Sequence, residues 1–537
     1  MPKFTLNDQE IEAKDGQTII QAAQNAGIDI PHYCYHPDLP IDGNCRMCLV
    51  EVEKMPKLTP SCTTMATEGM VVRSNNDRVK EAVRGVLEFL LINHPVDCPV
   101  CDQAGECRLQ DYYMVYGLHT SEIPLQMKVR KRKVIDLGPM VVLDQERCVL
   151  CSRCIRFFDY VTETGEMQFF GRGDHVAIGT FEDRPLDNPY SGNVVDICPV
   201  GALTSRDFRF KCRVWFLHST DSVCGGCSTG CNVRIDHRDG TIFRLLPRRN
   251  VEVNRSWLCD EGRLSFHELR SGERVVRPMI KGGDGIQAPV TWKDAVRSID
   301  TRLKEVREAS GAGSILGFAS PSATNEALFL FKRYLSDVLG ATRFDFRVDC
   351  EDKNVVEEED QILRHFDKHP NATGAMKLGL MSAELGGIQG AIEAARAGRI
   401  KACILIHFSP LVRRPGDEEA EGRVLELIDE LDYSVVLAAH KAEWHQSASV
   451  VLPVAEWSEE DGTYTNFEGR VQLARKAVEP GGDALPVWEV FAMLLHASGA
   501  ESPWMSSEDV FATIAQNEPA FRGLTLEQTR LPGVVVG

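Results

Sequence analysis

Cysteine is the residue whose number and spacing in this chain could do chemistry: 18 are present, and sixteen of them fall between Cys34 and Cys259. Fifteen of these sort into four groups. They are Cys34, Cys45, Cys48 and Cys62; Cys98, Cys101 and Cys107, with His94 just upstream; Cys148, Cys151 and Cys154 with Cys198; and Cys224, Cys227 and Cys231 with Cys259. Cys212 is left over within that span, and Cys350 and Cys403 lie beyond it. Thiolate cages with these spacings hold iron, which does one-electron chemistry that no side chain does easily. Four sites strung along one chain therefore read as an electron wire.

Two other uses of cysteine compete. Disulfides need an oxidising compartment. The N-terminal segment MPKFTLNDQEIEAKDG has neither a charged n-region nor an apolar h-region and reads as a strand, a turn at Asn7-Asp8 and a second strand, so no secretory export is expected. Structural zinc is the stronger competitor, because paired C-x2-C motifs serve it well. Against zinc stands Cys148-x2-Cys151-x2-Cys154, which wraps three thiolates round three corners of a cubane, with Cys198-Pro199 supplying the fourth.

Composition narrows the partners. A formal charge of -18 and a pI near 5.3 argue against a nucleic-acid surface, which needs a basic face. The one basic run, KVRKRK from Lys128 to Lys133, reads as a solvated linker or as a docking strip for an acidic partner. No apolar run approaches the roughly 18 residues a membrane span needs, so membrane contact is expected only through partner subunits.

The elements that must position the cysteines divide the chain into five segments. Residues 1–80 combine the hairpin with a helix near Gln17–Asn25, ended by Gly27, before the loop His32-Tyr33-Cys34. The C-x10-C-x2-C-x13-C spacing resembles plant-type [2Fe–2S] ferredoxins, whose first two gaps differ in length. That resemblance implies a β-grasp fold holding one [2Fe–2S] cluster on Cys34, Cys45, Cys48 and Cys62. The Gly43-Asn44 turn is expected to leave backbone N–H groups free to point at cluster sulfurs. In residues 81–138, helical Arg84–Ile92 leads into His94-x3-Cys98-x2-Cys101-x5-Cys107. A three-cysteine run lacking a fourth thiolate makes His94 the fourth ligand of a [4Fe–4S] cluster, and a neutral imidazole there should raise its potential.

In residues 139–216, RCVLCSRCIRF and GNVVDICPVGAL resemble a bacterial-type ferredoxin carrying a single cubane on Cys148, Cys151, Cys154 and Cys198. Cys212, in RDFRFKCRVWFL, alternates with apolar and basic residues as in a strand and reads as a packed thiol. Residues 217–275 open with SVCGGCSTGCNVRI, followed by WLCDEGR, and this C-x2-C-x3-C-x27-C resembles the N-terminal cubane of molybdopterin oxidoreductases, on Cys224, Cys227, Cys231 and Cys259. Residues 276–537 alternate strand and helix signals: ILGFAS, NEALFLFKRYLSDVL, ACILIHF, EEAEGRVLELIDELD, SVVLAA and SVVLPV. That rhythm predicts a mixed α/β domain. The Gly-rich SGAGSILG follows a helix and not a strand, so it does not read as a nucleotide loop.

The stretch LPVAEWSEEDGTYTNFEGRVQ, Leu452 to Gln472, resembles a recurring segment of the molybdopterin family. Three departures speak against a working pterin site. Where formate dehydrogenases of that family carry a catalytic Cys-His or selenocysteine-His pair, this chain reads FRVDCEDKNVVEEED: Cys350 is followed by Glu351, and aligning VDC puts the pair on Asn354 and Val355. Arg263 stands where that family has Lys. The chain ends about 65 residues after EGRVQ, leaving no room for the family's C-terminal pterin-covering domain.

In order, the four cluster motifs and the degenerate α/β domain resemble the large iron–sulfur subunit of NADH:quinone oxidoreductase, bacterial complex I. The fold class is then multidomain, α/β plus α+β. The resemblance implies one [2Fe–2S] and three [4Fe–4S] clusters, no molybdopterin and no active site of the chain's own. It also implies electrons received from a flavin-containing, NADH-binding subunit, other hydrophilic subunits as neighbours, and a peripheral place on the cytoplasmic face of the bacterial inner membrane. A component of a soluble NAD-linked hydrogenase or of a formate dehydrogenase is the alternative.

Overall fold

The computed structural model describes the chain apart from residues 118–122, 183, 271–273, 348–358, 383–384, 407–416 and 537, so Cys350, Asn354 and Val355 lie outside the described residues. The backbone divides into two compact units, Met1–Leu217 and His218–Gly537.

The first unit opens with a hairpin of β1 (Lys3–Leu6) and β2 (Gln9–Glu12). Its turn residues Asn7 and Asp8 both take left-handed φ, 50° and 67°, the geometry that matches strand twist in a two-residue turn. With β3 (Leu49–Val52), β4 (Thr59–Pro60) and β5 (Val71–Arg73) they form a mixed sheet in the order β2-β1-β5-β3-β4. Helix α1 (Ile19–Asn25) buries Ile19, Ile20, Ala22 and Ala23 against Phe4, Leu6, Val50 and Val72, and ends before Gly27 at φ 73°. Helix α2 (Asp77–Leu91) begins a turn or more earlier than the periodicity predicts, because the Asn76 side chain accepts the Val79 N–H at 3.0 Å and caps it there. Helix α3 (Arg108–Tyr116) follows.

Further along, β6 (Ile135–Asp136), β7 (Val141–Leu143) and β10 (Leu203–Ser205) pair as β10-β7-β6, with a separate ribbon of β8 (Gln168–Phe170) and β9 (Ala177–Gly179). Helix α4 is Arg153–Tyr160 and helix α5 is Asn193–Asp196. Two expectations are corrected here. The basic run is solvated only in part: Arg130, Arg132 and Lys133 are exposed, but Lys128 is buried and its Nζ donates to the carbonyls of Leu91 (3.0 Å) and His94 (2.7 Å), while Lys133 pairs with Glu146 at 2.8 Å. Cys212 sits in a loop and not a strand, because Phe210 takes φ 60°, which breaks extended backbone two residues before it.

The second unit begins with an antiparallel sheet of β11 (His218–Val223), β12 (Asn232–Arg238) and β13 (Thr241–Pro247). Helix α6 (Asp260–Leu264) follows Cys259. Beyond it lies a seven-stranded sheet of β14 (Met279–Lys281), β15 (Gln287–Pro289), β16 (Ile315–Ala319), β17 (Arg343–Asp345), β18 (Ala402–Ile406), β19 (Tyr433–Ala438) and β20 (Val450–Pro453), in the order β15-β14-β20-β19-β18-β16-β17. The five strands from β20 to β17 run parallel. Their residues alternate between two cores, as a sheet covered on both faces requires. Ile404 and Ile406 pack toward helices α7 (Trp292–Ser310), α8 (Asn325–Arg333), α12 (Val487–Ala497) and α13 (Ser507–Asn517). Cys403 and Leu405 pack toward α10 (Gly387–Arg396) and α11 (Asp417–Asp429), while the short α9 (Ala372–Lys377) joins the first core. Cys403 is thus a packed thiol at the centre of the sheet. A last sheet, β21 (Gly462–Thr465), β22 (Arg470–Ala474) and β23 (Val534–Val535), carries the molybdopterin-like segment and the last strand of the chain.

Candidate functional site

Each of the four predicted ligand groups is brought together. In the first, the Cys45 sulfur accepts the backbone N–H of Tyr33 (3.5 Å) and Cys34 (3.4 Å), a charge-stabilising arrangement made by the loop before β3. The four thiols lie as two pairs, Cys34 with Cys45 and Cys48 with Cys62. Hydrogen bonds from their partners pull Cys45 and Cys48 down to about 7 and push Cys34 and Cys62 up. Gly43, at φ 69°, makes the turn that returns the chain to Cys45.

The second group lines one cavity: His94, Cys98, Cys101 and Cys107 surround it, with Asp97 and Gly201 in its wall. The Val96 N–H points at His94 Nδ1 (3.0 Å), and the tight step between His94 and Cys98 puts Val96 at φ 48°. Burial lowers His94 to about 4, so the imidazole is neutral, the form a metal needs. Burial also pushes Cys107 up to about 12. Gly201 was not singled out by the motif, yet a β-carbon there would lie 2.3 Å from the Cys101 sulfur, so only glycine leaves the cavity open.

The third group, Cys148, Cys151, Cys154 and Cys198, lines a cavity of its own, the third site's. Leu150 and Ser152 take φ 53° and 61°, which bends the chain sharply enough to turn successive thiols inward, and the Leu150 N–H donates to the Cys148 sulfur at 3.4 Å. Burial raises Cys148 to about 12 and Cys151 to about 11, the latter opposed by the Arg153 guanidinium.

These three sites are stitched together through the third. On one side, Asn44 Nδ2 donates to the Leu150 carbonyl (3.0 Å), Ser152 Oγ to Asp42 (2.5 Å), Arg153 to the Tyr35 carbonyl (2.5 Å) and Arg156 to the carbonyls of Cys34 and Pro40. On the other, Arg147 forms a two-pronged pair with Asp97 (3.0 and 2.8 Å). The segment after Cys198 also serves two cavities at once, with Pro199, Val200, Ala202 and Leu203 in the third and Gly201 in the second.

In the second unit, Cys224, Cys227 and Cys231 sit in the connection from β11 to β12, and Cys259 caps α6. They line a cavity with Gly226, Gly262, Leu363, Arg364 and Lys368. Gly226 and Gly262 direct their N–H groups at the Cys224 (3.4 Å) and Cys259 (3.3 Å) sulfurs. A β-carbon on Gly262 would lie 3.1 and 3.2 Å from the Cys224 and Cys259 sulfurs, so the space beside them is a cradle that a side chain would fill. Burial raises Cys224 to about 12 and lifts Cys231 and Cys259 well above the ordinary thiol range. The molybdopterin-like segment braces this loop: Gln472 bonds Asn232 (2.8 Å) and the Gly230 carbonyl (2.9 Å), and Asn466 donates to the Thr229 carbonyl (3.2 Å). The residues of 363–368 carry no motif, and only the tertiary structure brings them here. Gly201 and Gly262 had a usable signal, a glycine three residues beyond a ligand cysteine.

Among the described residues, no three His, Cys, Asp or Glu side chains lie close enough to share one metal ion. The donors of the second, third and fourth groups line the walls of cavities instead, and the glycine cradles beside Cys101 and Cys259 fit a group larger than a single ion. Buried thiols held protonated by desolvation also fit donors that wait for iron to displace their protons.

Comparison with known proteins finds family models along successive stretches of the chain. Residues 2–77 match the family described as 2Fe-2S iron-sulfur cluster binding domain, residues 84–122 the NADH-ubiquinone oxidoreductase-G iron-sulfur binding region, and residues 138–204 the NADH-quinone oxidoreductase subunit 3 ferredoxin-like domain. Residues 217–267 match the NADH-ubiquinone oxidoreductase NDSU1/NuoG-like 4Fe-4S domain, and residues 274–365 and 354–497 match molybdopterin oxidoreductase. The G subunit of NADH-quinone oxidoreductase from Rickettsia bellii is 41% identical over 355 residues, 65% of this chain and 51% of that protein. The mitochondrial NADH-ubiquinone oxidoreductase 78 kDa subunit of Candida albicans is 31% identical over 609 residues, 95% of this chain and 84% of that protein. The chain thus aligns with about half the length of the bacterial relative and most of the fungal one. A solved NAD+-reducing [NiFe]-hydrogenase in the H2-reduced state overlays at a TM-score of 0.36 with 30% identity, covering 40% of this chain and 91% of that one.

Proposed function

The chain belongs to the family of NADH-quinone oxidoreductase G subunits and their mitochondrial NADH-ubiquinone oxidoreductase counterparts, and from that premise we propose that it is the electron-relay subunit of such a complex. In this reading it takes electrons that originate on NADH through the flavin of a partner subunit and passes them toward quinone, within a complex that couples the transfer to proton translocation. Cys34, Cys45, Cys48 and Cys62 hold a [2Fe–2S] cluster. His94, Cys98, Cys101 and Cys107, then Cys148, Cys151, Cys154 and Cys198, then Cys224, Cys227, Cys231 and Cys259 hold [4Fe–4S] clusters. When bound, these clusters supply one-electron carriers. The chain itself contributes no catalytic residue and binds no molybdopterin.

The observation that carries the reading is the central place of the third group, tied by Asn44–Leu150 and Ser152–Asp42 to the first and by Gly201 and Arg147–Asp97 to the second. The protein's task is to fix that order and keep it dry: the thiols are buried or half-buried, and Arg153 and Arg156 fill the space between the first and third groups with cationic hydrogen bonds. Among the described residues no helix is long and apolar enough to cross a membrane, in keeping with a subunit that reaches the cytoplasmic face of the membrane through its hydrophilic neighbours.

Cys151→Ala in the assembled complex tests this. Oxidation of NADH by an artificial acceptor at the flavin should persist while quinone reduction falls nearly to nothing. Wild-type quinone reduction would remove the third group from the path.

A further inference from the structure

Lys368 is 9% exposed in the wall of the fourth cavity, and its Nζ lies 3.2 Å from Glu261 Oε2. Arg364 lines the same wall, with its Nε 3.6 Å from that oxygen. Two cations therefore face one carboxylate, and that carboxylate is the more exposed partner, at 24% for its side chain against 6% for Lys368. The basic wall is held in place by several independent contacts. The Ser228 N–H donates to the Asp367 carbonyl (2.8 Å), Thr229 Oγ1 donates to the Leu363 carbonyl (2.6 Å), and Ser228 Oγ meets His365 Nδ1 at 2.7 Å. The Phe467 ring stacks on His365 at 4.7 Å between centroids. Arg263, one turn past Cys259, is engaged with the Leu245 carbonyl (3.3 Å) and Asp260 (3.8 Å) and does not line the cavity.

Resting on the iron–sulfur reading of this site, we propose that Lys368 is the positioning cation of the fourth cluster: with Arg364 it raises the cluster's reduction potential, and Glu261 sets how far. A cubane caged by four thiolates is anionic in both redox states and gains a further negative charge on reduction, so a nearby cation stabilises the reduced state more than the oxidised one. Buried charges are poorly screened, which makes Lys368 weigh more than a surface lysine would. The residue lies more than a hundred positions beyond Cys259, so the effect depends on the 363–369 segment folding back over the cysteine loop.

The test is a redox titration of the full chain, purified anaerobically with its clusters and followed by electron paramagnetic resonance. The fourth signal is assigned by its loss in Cys227→Ala. At the wild-type midpoint, Lys368→Met should raise the oxidised-to-reduced ratio of that signal about tenfold, a downward shift of about 59 mV for one electron. Lys368→Arg should stay near wild type, and Glu261→Gln should shift in the opposite direction, a pair of signs that loosened packing would not produce. An intact signal with an unchanged midpoint in Lys368→Met overturns the proposal. Should Lys368→Met lose the cluster, Glu261→Gln decides: an upward shift upholds the proposal and an unchanged midpoint overturns it. A wild-type chain that carries iron at the other three sites but none at the fourth would instead sink the cluster assignment on which the proposal rests.

Discussion

Gly201 and Cys101 are separated by a hundred positions in the chain, yet a β-carbon on Gly201 would come to 2.3 Å from the Cys101 sulfur. The contact places the segment that follows a ligand of the third group in the wall of the second. It follows that Gly201→Val should expel the second cluster while leaving the fold and the other sites intact. Iron should fall by about four atoms per chain, and quinone reduction should fall with it. Full iron content and normal turnover in this variant would show that Cys101 can move aside without loss of the site.

Counting ligands gives one binuclear and three cubane sites, so the anaerobically purified chain should carry about 14 iron atoms. Elemental analysis checks this. Stoichiometric zinc in place of iron at any group would sink that assignment, and stoichiometric molybdenum or tungsten would sink the absence of a pterin cofactor.

His94→Ala should sharply lower NADH-to-quinone electron flow while an artificial acceptor at the flavin is still reduced. Unchanged quinone reduction with the cubane still visible by magnetic resonance would remove His94 from the ligand set.

Gln472 links Asn232 to the Gly230 carbonyl within the fourth site's loop. Gln472→Ala leaves those buried groups short of partners, at a cost of roughly 1–3 kcal/mol. Iron should be stripped from the fourth site by a chelator faster than in wild type, and an unchanged release rate would argue that the loop holds itself.

Glu460 and Glu326 are fully buried near Glu456, Glu459 and Tyr464, and burial raises them to about 8 and about 7. Folded chains keep these protons at pH values where the unfolded carboxyl, with a pKa of about 4.3, has lost them. The resulting stability is fully present below about pH 4 and is lost as pH rises through about 7 to 8. The melting temperature should therefore drop between about pH 4 and 8, levelling off above that, and Glu460→Gln should flatten that drop. An identical pH dependence in Glu460→Gln would show that Glu460 does not titrate in this range.

The amino-acid sequence by itself determined the local part of every site. Ligands such as Cys148, Cys151 and Cys154 fall within seven consecutive residues at the entry to α4, where spacing dictates which thiols can meet, and the alternation from Ile315 to Pro453 follows from the period of buried strands and helices. What the tertiary structure decided was everything carried by long-range packing. It put the third group between the first and second, because Asn44 and Asp97 reach its segment from stretches whose spacing says nothing about contact, and Gly201, three residues past its ligand Cys198, reaches the second cavity. It buried Lys128 at the start of the KVRKRK run and paired Lys133 with Glu146 while leaving Arg130 and Arg132 exposed, because charge composition does not reveal which carbonyls and carboxylates a chain will fold against. It also brought Lys368 to the cysteines of the fourth site and made the molybdopterin-like segment a brace, since Asn466 and Gln472 find their partners only when strands more than two hundred residues apart lie side by side.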